Sequence, residues 1–226
     1  LRHYYNHRTM KKLIIFDLHG TLLNTIADLA ASTNYALKHY GFPEHEEKEY
    51  NFFVGNGINK LFERALPEEF RTEEYIMKIR SEFVPYYDAH NSDLSRPYQG
   101  IPEVLKELQK RGVKLAVASN KYQAATTKLV NEFFPEIEFS AVLGQREGIP
   151  SKPDPTIVNE ISESTGIAKE DIAYVGDSCV DMETGKSAGV ETIGVSWGFR
   201  PRKELESYNP AFIADNRELL LDYLLK

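Results

Sequence analysis

Four short segments of this chain carry side chains that suit acid, base and anion chemistry. Asp17-Leu18-His19-Gly20-Thr21 follows the apolar run Leu13-Ile14-Ile15-Phe16, and Ser119-Asn120-Lys121 follows a second such run. Ser151-Lys152-Pro153-Asp154-Pro155 precedes a helical pattern, and Gly176-Asp177-Ser178 ends another apolar run, with Asp181 one helical turn later. Brought together, Asp17, Asp177 and Asp181 would repel one another. A hard cation with oxygen ligands relieves that repulsion, and Mg²⁺ is the natural choice. There is no Cys/His cluster to suggest zinc. A cation of this kind screens the approach of a phosphate to a carboxylate nucleophile, here Asp17. Lys152 would add positive charge, while Ser119 and Asn120 would donate hydrogen bonds to phosphoryl oxygens. Gly20 would allow close backbone approach, and amides of the loop around it could bind the anion.

The elements that must hold these residues are legible as alternating patterns. Short runs rich in β-branched residues predict buried parallel strands at Leu13–Asp17, Lys114–Ser119, Phe139–Gly144, Ile172–Asp177 and Thr192–Trp197, with a weaker one at Ala211–Ala214. Helical patterns lie between them at Pro102–Arg111, Gln123–Glu132, Pro155–Thr165 and Asp181–Ala188; the first, third and fourth are followed directly by glycine. That alternation predicts an α/β fold, a Rossmann-like doubly wound parallel sheet. In such sheets ligands bind at the carboxyl ends of the strands, where the chemistry-bearing segments lie. One stretch interrupts the pattern. Thr25–Tyr40, Ile58–Leu66 and Thr72–Ala89 read as amphipathic helices with no strand between them, an all-helical insertion after the first strand.

The segments, in this order, resemble the haloacid dehalogenase (HAD) superfamily, and the resemblance covers Lys12–Lys226. The family pattern Asp-x-Asp-Gly-Thr stands here as Asp17-Leu18-His19-Gly20-Thr21, and Ser119, Lys152 and the Asp177/Asp181 pair match its later motifs. Val54-Gly55-Asn56-Gly57, Tyr98-x-Gly100, Ser119-Asn120-Lys121 and Val195-Ser196-Trp197-Gly198 look like the phosphoglycolate phosphatase branch. The resemblance implies a HAD-like catalytic core over residues 10–24 and 96–226 and a helical cap over 25–95. It implies a phosphoric monoester hydrolase in which Asp17 forms an aspartyl-phosphate. Mg²⁺ would be held by Asp17, the main-chain carbonyl of His19 and Asp177, with Asp181 direct or through water. The favoured substrate is phosphoglycolate. Alternatives are another small phosphate, pyrophosphate, mutase chemistry on a sugar phosphate, or a catalytically impaired phosphate-binding protein; Lys152 with Asp177 and Asp181 disfavours a dehalogenase.

Position 19 departs from the pattern. The family's general acid is an aspartate, and this chain has His19. Acid–base assistance contributes roughly 10²–10⁴ in rate, so its loss would slow turnover without abolishing capture of phosphate. Imidazole, with a reference pKa of about 6.5, could itself serve. Three readings stand open at this stage: a working acid–base, a slow enzyme, and a phosphate binder without turnover.

Bulk properties bound the rest. The 226 residues carry a formal charge of −7, which gives no support to nucleic acid as a partner. No apolar run reaches the roughly 20 residues of a bilayer-spanning helix. The single cysteine, Cys179, rules out an intrachain disulfide framework and predicts a reducing, cytoplasmic setting. Leu1–Thr9 lacks periodicity and reads as a vector-derived leader ahead of Met10. A small phosphorylated metabolite is the expected partner, with the protein a monomer or homodimer. Trp197, Phe52, Phe53, Tyr86 and Tyr87 are expected to pack rather than to bind ligand.

Overall fold

The computed structural model describes residues 8–226. The runs expected to be strands form a wholly parallel sheet, with β1 (Leu13–Phe16), β4 (Lys114–Tyr122), β5 (Ala141–Gln145), β6 (Ile172–Gly176), β7 (Glu191–Val195) and β8 (Phe212–Ala214) in the order β5-β4-β1-β6-β7-β8. In β1, β6 and most of β4 nearly every residue is buried, because helices cover both faces of the sheet. Ile14, Phe16, Val117 and Val175 enter one apolar cluster, and Leu13, Ile15, Ala116 and Tyr174 enter the other. The chain leaves β1 for β4 and β5 on one side, then returns to β6 on the other side of β1. The carboxyl ends of β1, β4 and β6 therefore flank the point where strand order reverses.

The helices α4 (Ile101–Lys110), α5 (Gln123–Phe133), α6 (Thr156–Thr165) and α7 (Cys179–Ala188) fall near their predicted positions. Gly166 and Gly189 end α6 and α7 in the left-handed conformation expected of C-terminal glycines. Expectation missed two later helices, α8 (Arg202–Glu206) and α9 (Arg217–Leu224), the second capped by Asn216, whose side chain accepts from Leu219 N at 2.8 Å. β4 runs past its predicted end to Tyr122, so Ser119, Asn120 and Lys121 belong to the strand itself.

Between β2 (Leu23–Asn24) and β3 (Arg96–Pro97) lies the insertion, with α1 (Ile26–His39), a 3₁₀ turn at Glu47–Phe52, α2 (Ile58–Ala65) and α3 (Glu73–His90). Its hydrophobic cluster, which includes Tyr50, Phe62, Phe83 and Tyr87, also takes in Ala125 of α5. β2 and β3 pair antiparallel, Leu23 opposite Pro97 and Asn24 opposite Arg96, so both crossings into the insertion run side by side. Asp28, buried at the start of α1, accepts from Leu94 N, Ser95 N and Ser95 Oγ and so ties the outgoing crossing to the incoming one. No strand shorter than three residues was expected, and this ribbon escaped the pattern.

Most of the predicted leader lies outside the described residues. Arg8, at its end, forms a 2.6 Å ion pair with Glu191, donates to Tyr223 O and stacks over the Tyr223 ring. No helix among the described residues is long and apolar enough to cross a membrane.

Candidate active site

Asp17 follows β1, Asp177 follows β6, Ser119 lies in β4, and the loop between β5 and α6 delivers Lys152. All four, with His19, Asn120 and Asp181, line one cavity between the sheet and the insertion, as sequence spacing predicted. Gly20 adopts a φ of +87°, and a Cβ there would stand 2.2 Å from Asp177 Oδ2. Its role is therefore to let the β1 loop pass the β6 loop. Its own amide is not among those the loop could offer an anion, because Gly20 N–H donates to Leu23 O at 2.8 Å.

Lys152 is the hub. Its ammonium lies 2.9 Å from Asp17 Oδ1, 2.9 Å from Asp181 Oδ1, 2.8 Å from Tyr174 Oη and 3.0 Å from Ala118 O. Tyr174 donates its own proton to Asp181 Oδ1 at 2.7 Å. Asp181 Oδ2 accepts from Asp177 N, Ser178 N and Ser178 Oγ, closing a capping box at the start of α7. Five protein donors thus occupy Asp181. Thr21 Oγ1 sits between Asp17 Oδ2 and Asp177 Oδ1 at 3.3 and 3.4 Å, and Phe199 N donates to Asp177 Oδ2 at 2.9 Å. Tyr174, Thr21 and Phe199 were not anticipated. Tyr174 is hidden in an apolar run, and only its hydroxyl, at a strand position under Lys152, hints at a role.

The electrostatics follow from burial. Loss of water, then the charge of Asp181, raises Asp17 to about 6 against the pull of Lys152. Burial, then Asp17 and Asp181, pushes Asp177 well above the carboxylate range. Burial also opposes ionisation of Asp181, but Lys152 and its hydrogen-bond donors outweigh that and hold it low. Lys152 remains charged because Asp17 and Asp181 overcome its desolvation. Asp17, Asp177 and Asp181 each bring a carboxylate oxygen within 4.8 Å of the others. Fully ionised, the three carboxylates would exceed the one ammonium by two negative charges, which one divalent cation would balance, and all-oxygen donors fit Mg²⁺. Asp17 and Asp177 have oxygen valence to give it; Asp181 is already satisfied.

One residue departs from expectation. Asn120 was expected to donate to phosphoryl oxygens, yet its Nδ2 hydrogens go to Gly55 O and Lys152 O, both at 3.0 Å. Its Oδ1 accepts from Lys152 N at 2.8 Å. Its side chain is a bracket between β4, the Lys152 loop and the insertion, with no donor left for phosphate. Ser119 Oγ accepts from Lys121 N at 3.0 Å, and its own proton has no acceptor among the described residues. His19 places Nδ1 2.7 Å from Thr25 Oγ1, while its buried Nε2 has no partner among the described residues. Burial, then the charges of Lys121 and Lys152, lowers its pKa well below the ordinary histidine value, so the imidazole is neutral.

Of the aromatics expected to pack, Tyr87 is fully buried and Trp197 anchors its ring by donating to Thr21 O at 3.1 Å. Phe52 is a correction: it is 58% exposed and lies under the Arg200 guanidinium, 5.2 Å from ring centre to carbon.

Comparison with known proteins gives a consistent answer. The family model for haloacid dehalogenase-like hydrolases matches residues 14–195. A phosphoglycolate phosphatase of Vibrio parahaemolyticus is 31% identical over 93% of this chain and 95% of its own length. One of Aquifex aeolicus is 33% identical over 83% of this chain and 86% of its own. A crystal structure of a candidate phosphoglycolate phosphatase from Lactobacillus delbrueckii subsp. bulgaricus superposes with a TM-score of 0.90 at 31% identity, covering 96% of this chain and 99% of that one.

Proposed function

The chain belongs to the haloacid dehalogenase-like hydrolases, and from that premise we propose that it is a Mg²⁺-dependent phosphatase of a small phosphate monoester, with phosphoglycolate the favoured substrate. The observation that carries this reading is the buried Asp17 carboxylate, held 2.9 Å from Lys152 inside a cavity that also holds Asp177 and Ser119. The relatives' names supply the substrate preference.

In this reading residues 10–24 and 96–226 form the catalytic core, and 25–95 act as a cap that closes over the cavity. Asp17 attacks phosphorus in line with the ester oxygen. The bond to that oxygen breaks as the bond to Asp17 forms, giving an aspartyl-phosphate and an alkoxide that takes its proton from water; a second water, giving a proton to His19, then cleaves the aspartyl-phosphate and restores the carboxylate. Asp17, Asp177 and the main-chain carbonyl of His19 would hold Mg²⁺, with Asp181 reached through water because its oxygens are occupied. Bound there, Mg²⁺ supplies positive charge to the transferring group. Ser119 Oγ donates its proton to a phosphoryl oxygen, and Lys152 both orients Asp17 and offsets the added charge.

His19 divides the two halves of the reaction. A neutral imidazole with a free Nε2 can accept a proton from water when Thr25 accepts from Nδ1–H. The same neutral ring has no proton acidic enough to give to an alkoxide. His19 is therefore the base of the second step and a poor acid for the first, and esters with good leaving groups are favoured. Phosphate release should turn over repeatedly, require Mg²⁺ and vanish in Asp17→Asn. Release that persists in Asp17→Asn, or binding of phosphate esters with no release at any pH, sinks the proposal.

A further inference from the structure

Three cationic side chains line the cavity: Lys121, Lys152 and Arg200. Lys152 is paired with Asp17 and Asp181. Arg200 lies 3.7 Å from Glu204 and donates to Phe52 O. Lys121 differs from both. Its residue is 6% exposed, and among the described residues Asp88 is the one opposite charge that acts on its ammonium, with no hydrogen bond between them. It rests instead on aromatic faces, 3.9 Å from the Tyr87 centroid, 5.5 Å from Phe83 and 5.7 Å from Tyr122. Asp88, the nearby acid, already accepts the Tyr122 hydroxyl at 2.5 Å. Ring faces steady a cation but accept none of its N–H groups as an oxygen would. Burial accordingly drives the amine down to about 7, with only Asp88 opposing.

A cation held largely out of water without an ion pair is costly, and this one lines the cavity that holds Asp17 and Ser119. We infer that Lys121 is the specificity-determining residue of the cavity, pairing with a second anion of the substrate, a carboxylate on the short chain esterified to the phosphate. The inference rests on the phosphomonoester reading above and adds the group that reads the far end of the ester. One ammonium balances one charge, which suits a carboxylate and not a second dianionic phosphate. Leu29, Val54, Ile58 and Leu61, which the insertion contributes to the wall, are apolar, and the other free-standing cation, Arg200, is already engaged by Glu204 and Phe52 O.

Calorimetric titration tests this without turnover. 2-Phosphoglycolate and ethyl phosphate, which lacks the carboxylate, are titrated with Mg²⁺ into Asp17→Asn protein with and without Lys121→Met. With Lys121 present, the carboxylated ligand should bind roughly 10–100-fold tighter. Lys121→Met keeps an unbranched apolar stem against the rings, and it should erase most of that preference while weakening ethyl phosphate far less. Lys121→Arg, which keeps the charge, should retain part of it. Equal affinity for the two ligands in the Lys121 protein overturns the inference whatever the variants do. A preference that survives Lys121→Met, or an equal loss for both ligands, overturns it too, the latter marking a purely structural lysine. The phosphatase reading fails on a different readout, the absence of Mg²⁺-dependent phosphate release from the unsubstituted protein, so the two failures are separable.

Discussion

At the scale of single residues, the site is a set of competing claims on few atoms. Lys152 Nζ has three protons and four oxygens within 3.0 Å, so Tyr174 helps by giving its own proton to Asp181. Asn120 spends both amide protons on the protein and becomes a bracket. His19, in contrast, keeps a buried nitrogen free. Restoring an acid at that position should matter most where the leaving group is poor. His19→Asp is expected to raise kcat on an alkyl phosphate roughly 100-fold while changing an aryl phosphate much less. Steady-state assays of both esters on both proteins decide it, and equal rates on the alkyl ester refute it. The candidate acids, Lys152 and Ser119 were legible in sequence because strand ends in a parallel sheet must converge. The role of Asn120 was not, since its partners Gly55 and Lys152 are 65 and 32 residues away.

At the scale of elements, each strand that presents chemistry is pinned by its neighbours. β1 lies between β4 and β6, in register from Leu13 opposite Lys114 and Ile172, which fixes Asp17 relative to Ser119 and Asp177. The insertion is held by side chains and not by a sheet. Asn120 reaches Gly55 O, Arg200 reaches Phe52 O, and Lys128 reaches Asp88 O at the end of α3. Asp28 is the strongest of the ties at the crossing itself. Asp28→Ala strands the buried Ser95 amide and hydroxyl and the part-buried Leu94 amide, and should cost about 2–3 kcal/mol, read as a lower urea midpoint. A change below about 0.5 kcal/mol would show that the ribbon holds without it. Strands and most helices could be read from periodicity, because burial on both faces leaves an apolar signature. The β2–β3 ribbon could not, being two residues per strand with partners 74 and 72 positions apart, Leu23 with Pro97 and Asn24 with Arg96. α8 is only five residues long, too short for a helical period to emerge from its sequence.

At the scale of the whole molecule, the carboxylate cluster couples folding to pH and to cation. Asp17 is raised to about 6 and Asp177 well above its ordinary range, so the folded protein holds protons that the unfolded chain, with carboxyls near 3.9, has already released. That contribution to stability is complete below about pH 4 and is lost as pH rises through 6 and beyond. Mg²⁺ bound by the cluster, as proposed above, would compete with those protons, and its stabilisation should therefore grow with pH. At about 100 times its Kd it adds about 2.7 kcal/mol, or about 5–10 °C in Tm near pH 8, and clearly less at pH 5. Scanning calorimetry with and without Mg²⁺ at both pH values reads the difference, and a shift equal at the two would contradict this account. The paired crossings at Leu23–Pro97 and Asn24–Arg96 have one more consequence. The insertion leaves and rejoins the core at a single stem, so a lineage can lengthen, shorten or exchange it without altering the register of the sheet. A change in the length of the insertion thus leaves Asp17, Ser119 and Asp177 where the sheet puts them.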